Sequence, residues 1–294
     1  MKTLLLIYNP HAGKQRITAK LHDVVYHFTT AGYLVTVRPT LYRGNATQIA
    51  AEEGCNYDHV VCCGGDGTLN EVVTGLLTHP DKMPVLGYLP AGTTNDFAKT
   101  LKIPSTLDKS TPIAVGGTPA LCDVGDFNGR TFIYVAAFGL FTEVSYATPQ
   151  NTKNMLGRLA YVLEGIKSLS QLKSYHMRIT HDGETLEGDF IYGMVSDSIS
   201  VGGFRGMKEE VVKLDDGLFE VMLIKTPKTL EDLAGILNAL VRQEPESHVI
   251  TFQSGEVAFL SEEQVGWTLD GEYGGDTDLG WVKNRPRAIT IMRG

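Results

Sequence analysis

The sequence predicts an α/β domain followed by a mostly antiparallel β domain, and three observations carry that prediction. From residue 1 to about 125, short β-rich runs at 4–8, 33–37, 59–63 and 85–89 alternate with helical stretches at 16–30, 46–53 and 69–77, the signature of a parallel sheet. From about 126 the hairpin dipeptides Asn128-Gly129 and Asp182-Gly183 appear, with strand-like runs at 130–137, 175–180 and 219–224. Between the third strand and its helix lies Gly64-Gly65-Asp66-Gly67-Thr68, a glycine turn that exposes backbone amides at a helix N-terminus, where the helix dipole favours an anion.

Taken in order, the run at 4–8 follows Lys2 and stops at Asn9-Pro10, short of the roughly 7–15 apolar residues of a secretion signal; it reads as a first buried strand. Asn9-Pro10-His11-Ala12-Gly13-Lys14 then leads into a helix. This segment can offer amides and Lys14 to a nucleotide, or be an ordinary strand-to-helix turn. No G-x-x-x-x-G-K-[ST] motif occurs, so phosphate binding here must use another geometry. After the fourth strand, Pro90-Ala91-Gly92-Thr93-Thr94-Asn95-Asp96-Phe97 combines a glycine turn with hydroxyls, an amide and a carboxylate. Thr93 can bond a phosphate, and Asn95 or Asp96 can cap the next helix or organise metal-bound water. Asp123 is an acid in an apolar strand, where burial demands a partner or a cation. Asn9, 64–68 and 90–96 all follow strands, which sets them on the one edge where such sheets bind ligands.

In the second half, helices are expected near 155–170 and 230–241, the latter with Thr229 as N-cap and Asp232 three residues on. Thr268-Leu269-Asp270-Gly271-Glu272 reads by spacing alone as a hairpin turn. No repeat or low-complexity linker separates the halves, and a cleft between two closely joined domains is the expected place for a site.

Composition narrows the function. The chain has 294 residues, 43% hydrophobic and 20% charged, a globular composition long enough for two domains. A net charge of −8 argues against a nucleic-acid binder. The longest later apolar run, 132–141, is far below the roughly 18 residues of a membrane span, so membrane contact is expected to be peripheral. Lys153, Arg158 and Lys167 with Phe204, Arg205, Met207 and Lys208 can form a basic, apolar docking surface, or simply a solvated helix face and a loop. The four cysteines, Cys55, Cys62, Cys63 and Cys122, lack C-x-x-C spacing and read as buried thiols of a reducing cytosol. No H-E-x-x-H supports zinc.

At average residue usage the pentapeptide at 64–68 should arise by chance in roughly 3 in 10,000 chains of this length, so it is read as a phosphate site in which Asp66 can hold a divalent cation or its water. It resembles the nucleotide site shared by diacylglycerol and sphingosine kinases, NAD kinases and phosphofructokinases. With Asn9-Pro10 and Ala12-Gly13, the 89–97 segment, Phe138-Gly139, 153–157, Leu214-Asp215-Asp216-Gly217-Leu218 and Leu269-Asp270-Gly271-Glu272 added, nearly the whole chain resembles the bacterial soluble diacylglycerol kinase family.

That resemblance implies a doubly wound, NAD-kinase-like α/β nucleotide-binding domain at 1–125, joined by a returning C-terminal strand within 286–294, and a β-sandwich lipid-substrate domain at 126–285. It implies ATP held by Asn9, Pro10, His11, Ala12, Gly13, Thr40, Gly64, Gly65, Asp66, Gly67, Thr68, Leu69, Asn70 and Thr93, with Asn95 in the same loop. Asp66, Asp96 and Asp123 would arrange Mg2+ and its waters. A second, structural Mg2+ would sit at Lys213, Asp216 and Leu218, two of which can offer only backbone carbonyls; the other reading is an acidic turn without metal. His11 departs from many relatives at a variable position. The implied activity is phosphotransfer from ATP to the hydroxyl of diacylglycerol, with Asp270 as proton acceptor and Glu272 orienting the base or the cation, in a cytoplasmic protein that meets the membrane peripherally; a homodimer is compatible. The alternatives are another lipid alcohol (a sphingoid base, monoacylglycerol or prenol), NAD as acceptor, or a non-catalytic nucleotide- or lipid-binding module.

Overall fold

The structure, a computed structural model, describes residues 1–13, 16–140, 163, 169–197, 213–242 and 244–294. They form two compact units, Met1–Asp123 with Arg287–Gly294, and Val124–Pro286.

The first unit runs β1 (Lys2–Tyr8), α1 (Arg16–Thr30), β2 (Tyr33–Pro39), α2 (Asn45–Glu53), β3 (His59–Gly64), α3 (Asp66–Leu76), β4 (Val85–Pro90), α4 (Asp96–Thr100), α5 (Leu107–Gly116) and the start of β5 (Thr118–Phe127). Its strands pair in parallel in the order β4-β3-β1-β2. Ile291, near the chain's end, pairs in parallel with Leu86 of β4. Successive strand residues face opposite sides: Leu4, Leu6, Val61, Cys63 and Leu89 pack with Ile17, Val24, Phe28 and Leu107, while Leu5, Val60, Cys62 and Tyr88 between them are equally buried. Burial on both faces is why these strands read as continuous apolar runs rather than alternating ones. None of the four cysteines is in a disulfide; Cys62, Cys63 and Cys122 are buried and Cys55 is half-buried. Burial pushes the Cys63 thiol up to about 12, and Cys62 also rises well above its ordinary value, burial again being the first cause.

The second unit contains the remainder of β5, then β6 (Arg130–Phe132), β7 (Val135–Gly139), β8 (Tyr175–His181), β9 (Glu184–Ser196), β10 (Phe219–Lys225), α6 (Leu230–Arg242), β11 (Val249–Ser254), β12 (Glu256–Leu269) and most of β13 (Glu272–Arg293). Pairing is antiparallel through β11-β10-β9-β7-β12-β13, with β8 against both β9 and β12. An aromatic core of Phe138, Phe259 and Trp267 meets edge-on or tilted, with ring centroids 5.0–5.8 Å apart, the offset geometry that aromatic quadrupoles prefer. Helix α6 starts at the expected cap: Asp232 N donates to Thr229 Oγ1 at 3.0 Å and Thr229 N to Asp232 Oδ2 at 2.9 Å, a reciprocal capping box. The helix expected near 155–170 lies almost wholly outside the described residues.

Among the described residues, two-residue turns at Asn128-Gly129, Asp182-Gly183 and Asp270-Gly271 join strands of this unit. All have left-handed φ at both positions, 49° and 83°, 48° and 82°, 51° and 82°, as a type I′ hairpin demands. One expectation needs correction. The run at 130–137 is not one strand but two, because the chain leaves the ladder at Ile133 and Tyr134.

Candidate active site

In the first unit the segments that follow the strands continue the ladder as backbone steps. Thr40 N donates to Tyr8 O and Asn9 N to Cys63 O, both at 2.9 Å, and Ala91 N donates to Gly64 O at 2.8 Å. These bonds set Asn9, Gly64 and Ala91 side by side on the carboxyl edge of the sheet, as the sequence predicts, with Thr40 beside them.

Glycine makes the resulting bed. A Cβ on Gly13, whose φ is +42°, would lie 1.9 Å from Ala91 O, and one on Gly92 would lie 2.5 Å from Gly65 Cα. The loops at 9–13, 64–68 and 90–95 therefore touch through bare backbone, with no Cβ to hold them apart. Helix α3 opens directly from this bed: its N-cap is Gly65, and no side chain caps it. Uncapped first-turn amides under the positive end of an eleven-residue helix form a site for an anion.

The polar side chains around the bed mostly hold its shape. Asn9 accepts from His11 N at 2.9 Å and donates to Thr68 Oγ1 at 3.4 Å. Asn95, in the left-handed region at φ 50°, accepts from Gly92 N and donates to Gly92 O, both at 2.9 Å. Asp66 accepts from Asp96 N at 3.0 Å and Phe97 N at 3.4 Å, so its carboxylate ties one glycine loop to the start of the helix beyond the other. Thr93 and Thr94 remain exposed on the rim. Tyr88, beneath, has its hydroxyl pushed well above the usual range by burial and secondarily by Asp66.

The three acids expected near magnesium each have a protein partner. Beyond the Asp66 amides, Asp96 Oδ1 accepts from Lys99 Nζ at 2.7 Å, and the fully buried Asp123 accepts from Arg287 N at 2.7 Å. Among the described residues no group of three or more His, Cys, Asp or Glu side chains forms a metal cage. A magnesium ion bound largely through nucleotide phosphates and water needs only one or two carboxylates, and this donor set fits that mode. In the second unit, Asp216 Oδ1 accepts from Leu218 N at 3.1 Å, closing the turn that carries Lys213, Asp216 and Leu218.

Asp270 lies at the tip of the β12–β13 hairpin, 7% exposed. Its Oδ2 accepts from Ile133 N at 2.7 Å, and its Oδ1 from Tyr134 N at 3.0 Å and Val135 N at 3.2 Å. Its own N donates to Val135 O at 2.8 Å. The break in the 130–137 strand supplies these donors: amides withdrawn from the ladder turn onto one carboxylate and fix its orientation. Glu272, two residues on, is exposed.

Two features carry no sequence expectation. Glu71 of α3 accepts from Gly44 N at 2.8 Å and Ala46 N at 3.2 Å, clamping the start of α2 beside Thr40. Glu220 of β10 is 2% exposed, and burial pushes its carboxyl up to about 7. Lys14, Lys153, Arg158, Lys167, Phe204, Arg205, Met207 and Lys208 lie outside the described residues.

The chain matches known proteins along nearly its whole length. A family model described as diacylglycerol kinase catalytic domain matches residues 3–127, and one described as YegS C-terminal NAD kinase beta sandwich-like domain matches residues 135–293. The chain is 36% identical to the diacylglycerol kinase of Bacillus subtilis (strain 168), over 94% of this chain and 91% of that one. It is 35% identical to the diacylglycerol kinase of Staphylococcus aureus (strain bovine RF122 / ET3-1), over 99% and 92%. Among solved structures, a diacylglycerol kinase from Bacillus anthracis str. Sterne superposes with a TM-score of 0.76 at 21% identity, covering 100% of this chain and 97% of that one. A second structure from the same organism gives 0.83 at 24% with equal coverage. At such identities the structural likeness speaks for the fold.

Proposed function

This chain belongs to the diacylglycerol kinase family, and on that premise we propose that it transfers the γ-phosphoryl group of ATP to the hydroxyl of diacylglycerol, giving phosphatidic acid. The observation that carries the reading is the glycine bed at the uncapped start of α3, where Gly13, Gly65 and Gly92 bring backbone amides to one place.

In this reading the first unit is a doubly wound, NAD-kinase-like nucleotide domain and the second a β-sandwich that receives the lipid. The triphosphate rests on the α3 amides and the 9–13 loop, with Thr93 donating its hydroxyl and Thr40 on the same edge. Asp66, Asp96 and Asp123 would hold magnesium, which would supply charge neutralisation on the phosphates. Asp270 takes the proton of the attacking hydroxyl; its three amide bonds keep the carboxylate aimed without a swinging side chain. Glu272 helps orient that base. Phosphoryl transfer asks little covalent chemistry of a protein, so positioning and electrostatics dominate. Among the described residues no helix is long and apolar enough to cross a membrane; a lipid acceptor requires the protein to reach a bilayer from its surface.

The test offers labelled ATP and magnesium with diacylglycerol micelles, other lipid alcohols and NAD side by side. Label in phosphatidic acid that disappears in an Asp270→Ala protein is the expected result. Label in a different acceptor moves the substrate, and no label anywhere defeats the reading.

A further inference from the structure

Helix α2 begins without a cap of its own. Its N-cap is Gly44, in the left-handed region at φ 84°, and glycine has no side chain with which to bond the first-turn amides. Glu71 of α3 serves instead: Oε1 accepts from Gly44 N at 2.8 Å and Oε2 from Ala46 N at 3.2 Å. The helix that lends this carboxylate is the one whose own N-terminus opens from the glycine bed.

The loop held by this cap, 40–44, is bonded at almost every step. Thr40 N donates to Tyr8 O at 2.9 Å and Asn45 N to Tyr42 O at 3.2 Å. Leu41 N donates to Asn45 Oδ1 at 3.0 Å, and Tyr42 Oη donates to Gln48 Oε1 at 2.7 Å, which holds the ring in place. Yet the two apolar side chains so fixed face solvent. Leu41 is 77% and Tyr42 60% exposed, and among the described large apolar side chains only Met1 is more exposed than Leu41. Exposed apolar groups contribute no burial energy to the free protein, whereas a ring already held in one orientation meets a ligand without a further ordering cost.

The loop's place on the sheet selects the ligand. Strand β2 lies beside β1, and β1 beside β3, so at ~4.8 Å per strand the ends of β2 and β3 stand about 10 Å apart. A nucleotide whose phosphates rest at the end of β3 reaches across such a gap to set its base at the end of β2. One tyrosine ring is the breadth of a base and too small to seat a bilayer, and base–aromatic stacking needs only a π-face.

We propose that Tyr42, with Leu41 next to it, is the platform on which the nucleobase of ATP stacks, and that Glu71 is a positioning residue which holds this platform in register with the glycine bed. The inference rests on the kinase reading and adds the place of the base to it.

The experiment measures calorimetric binding of ATP and of inorganic tripolyphosphate, each with magnesium, together with the KM for ATP, in wild type, Tyr42→Ala, Tyr42→Phe, Glu71→Ala and Glu71→Gln. Tyr42→Ala is expected to weaken ATP binding and raise the ATP KM about tenfold, the loss of one base–aromatic stack, while tripolyphosphate binding stays within about twofold. Tyr42→Phe keeps the ring, loses only its bond to Gln48, and stays within about threefold for ATP. Glu71→Ala is expected to weaken ATP about tenfold and tripolyphosphate less than twofold, and Glu71→Gln, which keeps an acceptor oxygen at the same place, to recover most of that loss. Melting curves exclude loss of folding. ATP binding unchanged in Tyr42→Ala, or tripolyphosphate weakened as much as ATP, overturns the platform. Equal losses for both ligands in Glu71→Ala, or a Gln variant as weak as the Ala variant, overturn the positioning role. Tyr42-dependent ATP binding by a protein that phosphorylates no lipid defeats the kinase reading and leaves the platform standing.

Discussion

Two turns of the second unit share a dipeptide and a backbone yet differ in every other respect. Asp182-Gly183 and Asp270-Gly271 agree in φ to within 3°. Asp182 is 58% exposed on its side chain, with His181 Nδ1 at 3.4 Å. Asp270 is buried under three amides. The dipeptide specifies the turn; the strand that stops short beside it specifies what holds the carboxylate. A chemical role here is a property of neighbours that sequence spacing does not reveal.

The sharpest way to break the contrast is through turnover. Asp270→Asn is expected to lower kcat/KM for lipid phosphorylation about 10²–10⁴-fold, the range for loss of a general base, while Asp182→Asn stays within about twofold. Equal rates in the two variants would end the distinction. Stability separates them next. Asp270→Ala strands the amides of Ile133, Tyr134 and Val135, and urea unfolding should show a loss of about 1–3 kcal/mol; Asp182→Ala should stay within about 0.5 kcal/mol, as exposed substitutions do.

Glycine variants should erase the difference. A Cβ on Gly183 or Gly271 meets nothing within 4 Å, so Gly183→Ala and Gly271→Ala each carry only the left-handed penalty, about 1–2 kcal/mol. Unequal melting shifts would show that neighbours strain one turn. The third turn gives the smallest effect. Asn128 donates to Leu279 O at 2.7 Å and accepts from Trp281 N at 2.8 Å; Asn128→Asp keeps the acceptor, loses the donor, and should cost about 0.5–1 kcal/mol, read from the urea midpoint.

The same contrast marks what could be read from the chain. The alternation of the first unit is legible because strands buried on both faces leave apolar runs such as 59–63, punctuated by glycine turns. The glycine bed is legible for the same reason: glycines at strand ends let loops approach through bare backbone. Strands β12 and β13 are not, since their solvent sides carry Glu262, Glu263 and Gln264, and glycines resembling loop signals serve packing. A Cβ on Gly280 would sit 2.8 Å from the Trp267 ring. The donors to Asp270 lie more than 130 residues away inside an unbroken apolar run, so no local pattern announces the interruption. Glu71 is hidden likewise, its partners 25 and 27 residues distant. Glu220, by contrast, interrupts an apolar strand as Asp123 does, and the rule that flags one flags the other.

The adjacent thiols of β3 give the first unit a built-in reporter. Cys62 and Cys63 point to opposite faces of a fully covered strand, and burial holds both sulfurs as thiols, whereas half-buried Cys55 lies outside any strand. An alkylating reagent applied to native protein should therefore modify Cys55 first. Uptake of label at the β3 pair then times the opening of the sheet's centre, and nucleotide that slows this uptake discloses its docking on the edge where β3 ends, with no assay of turnover and no engineered residue.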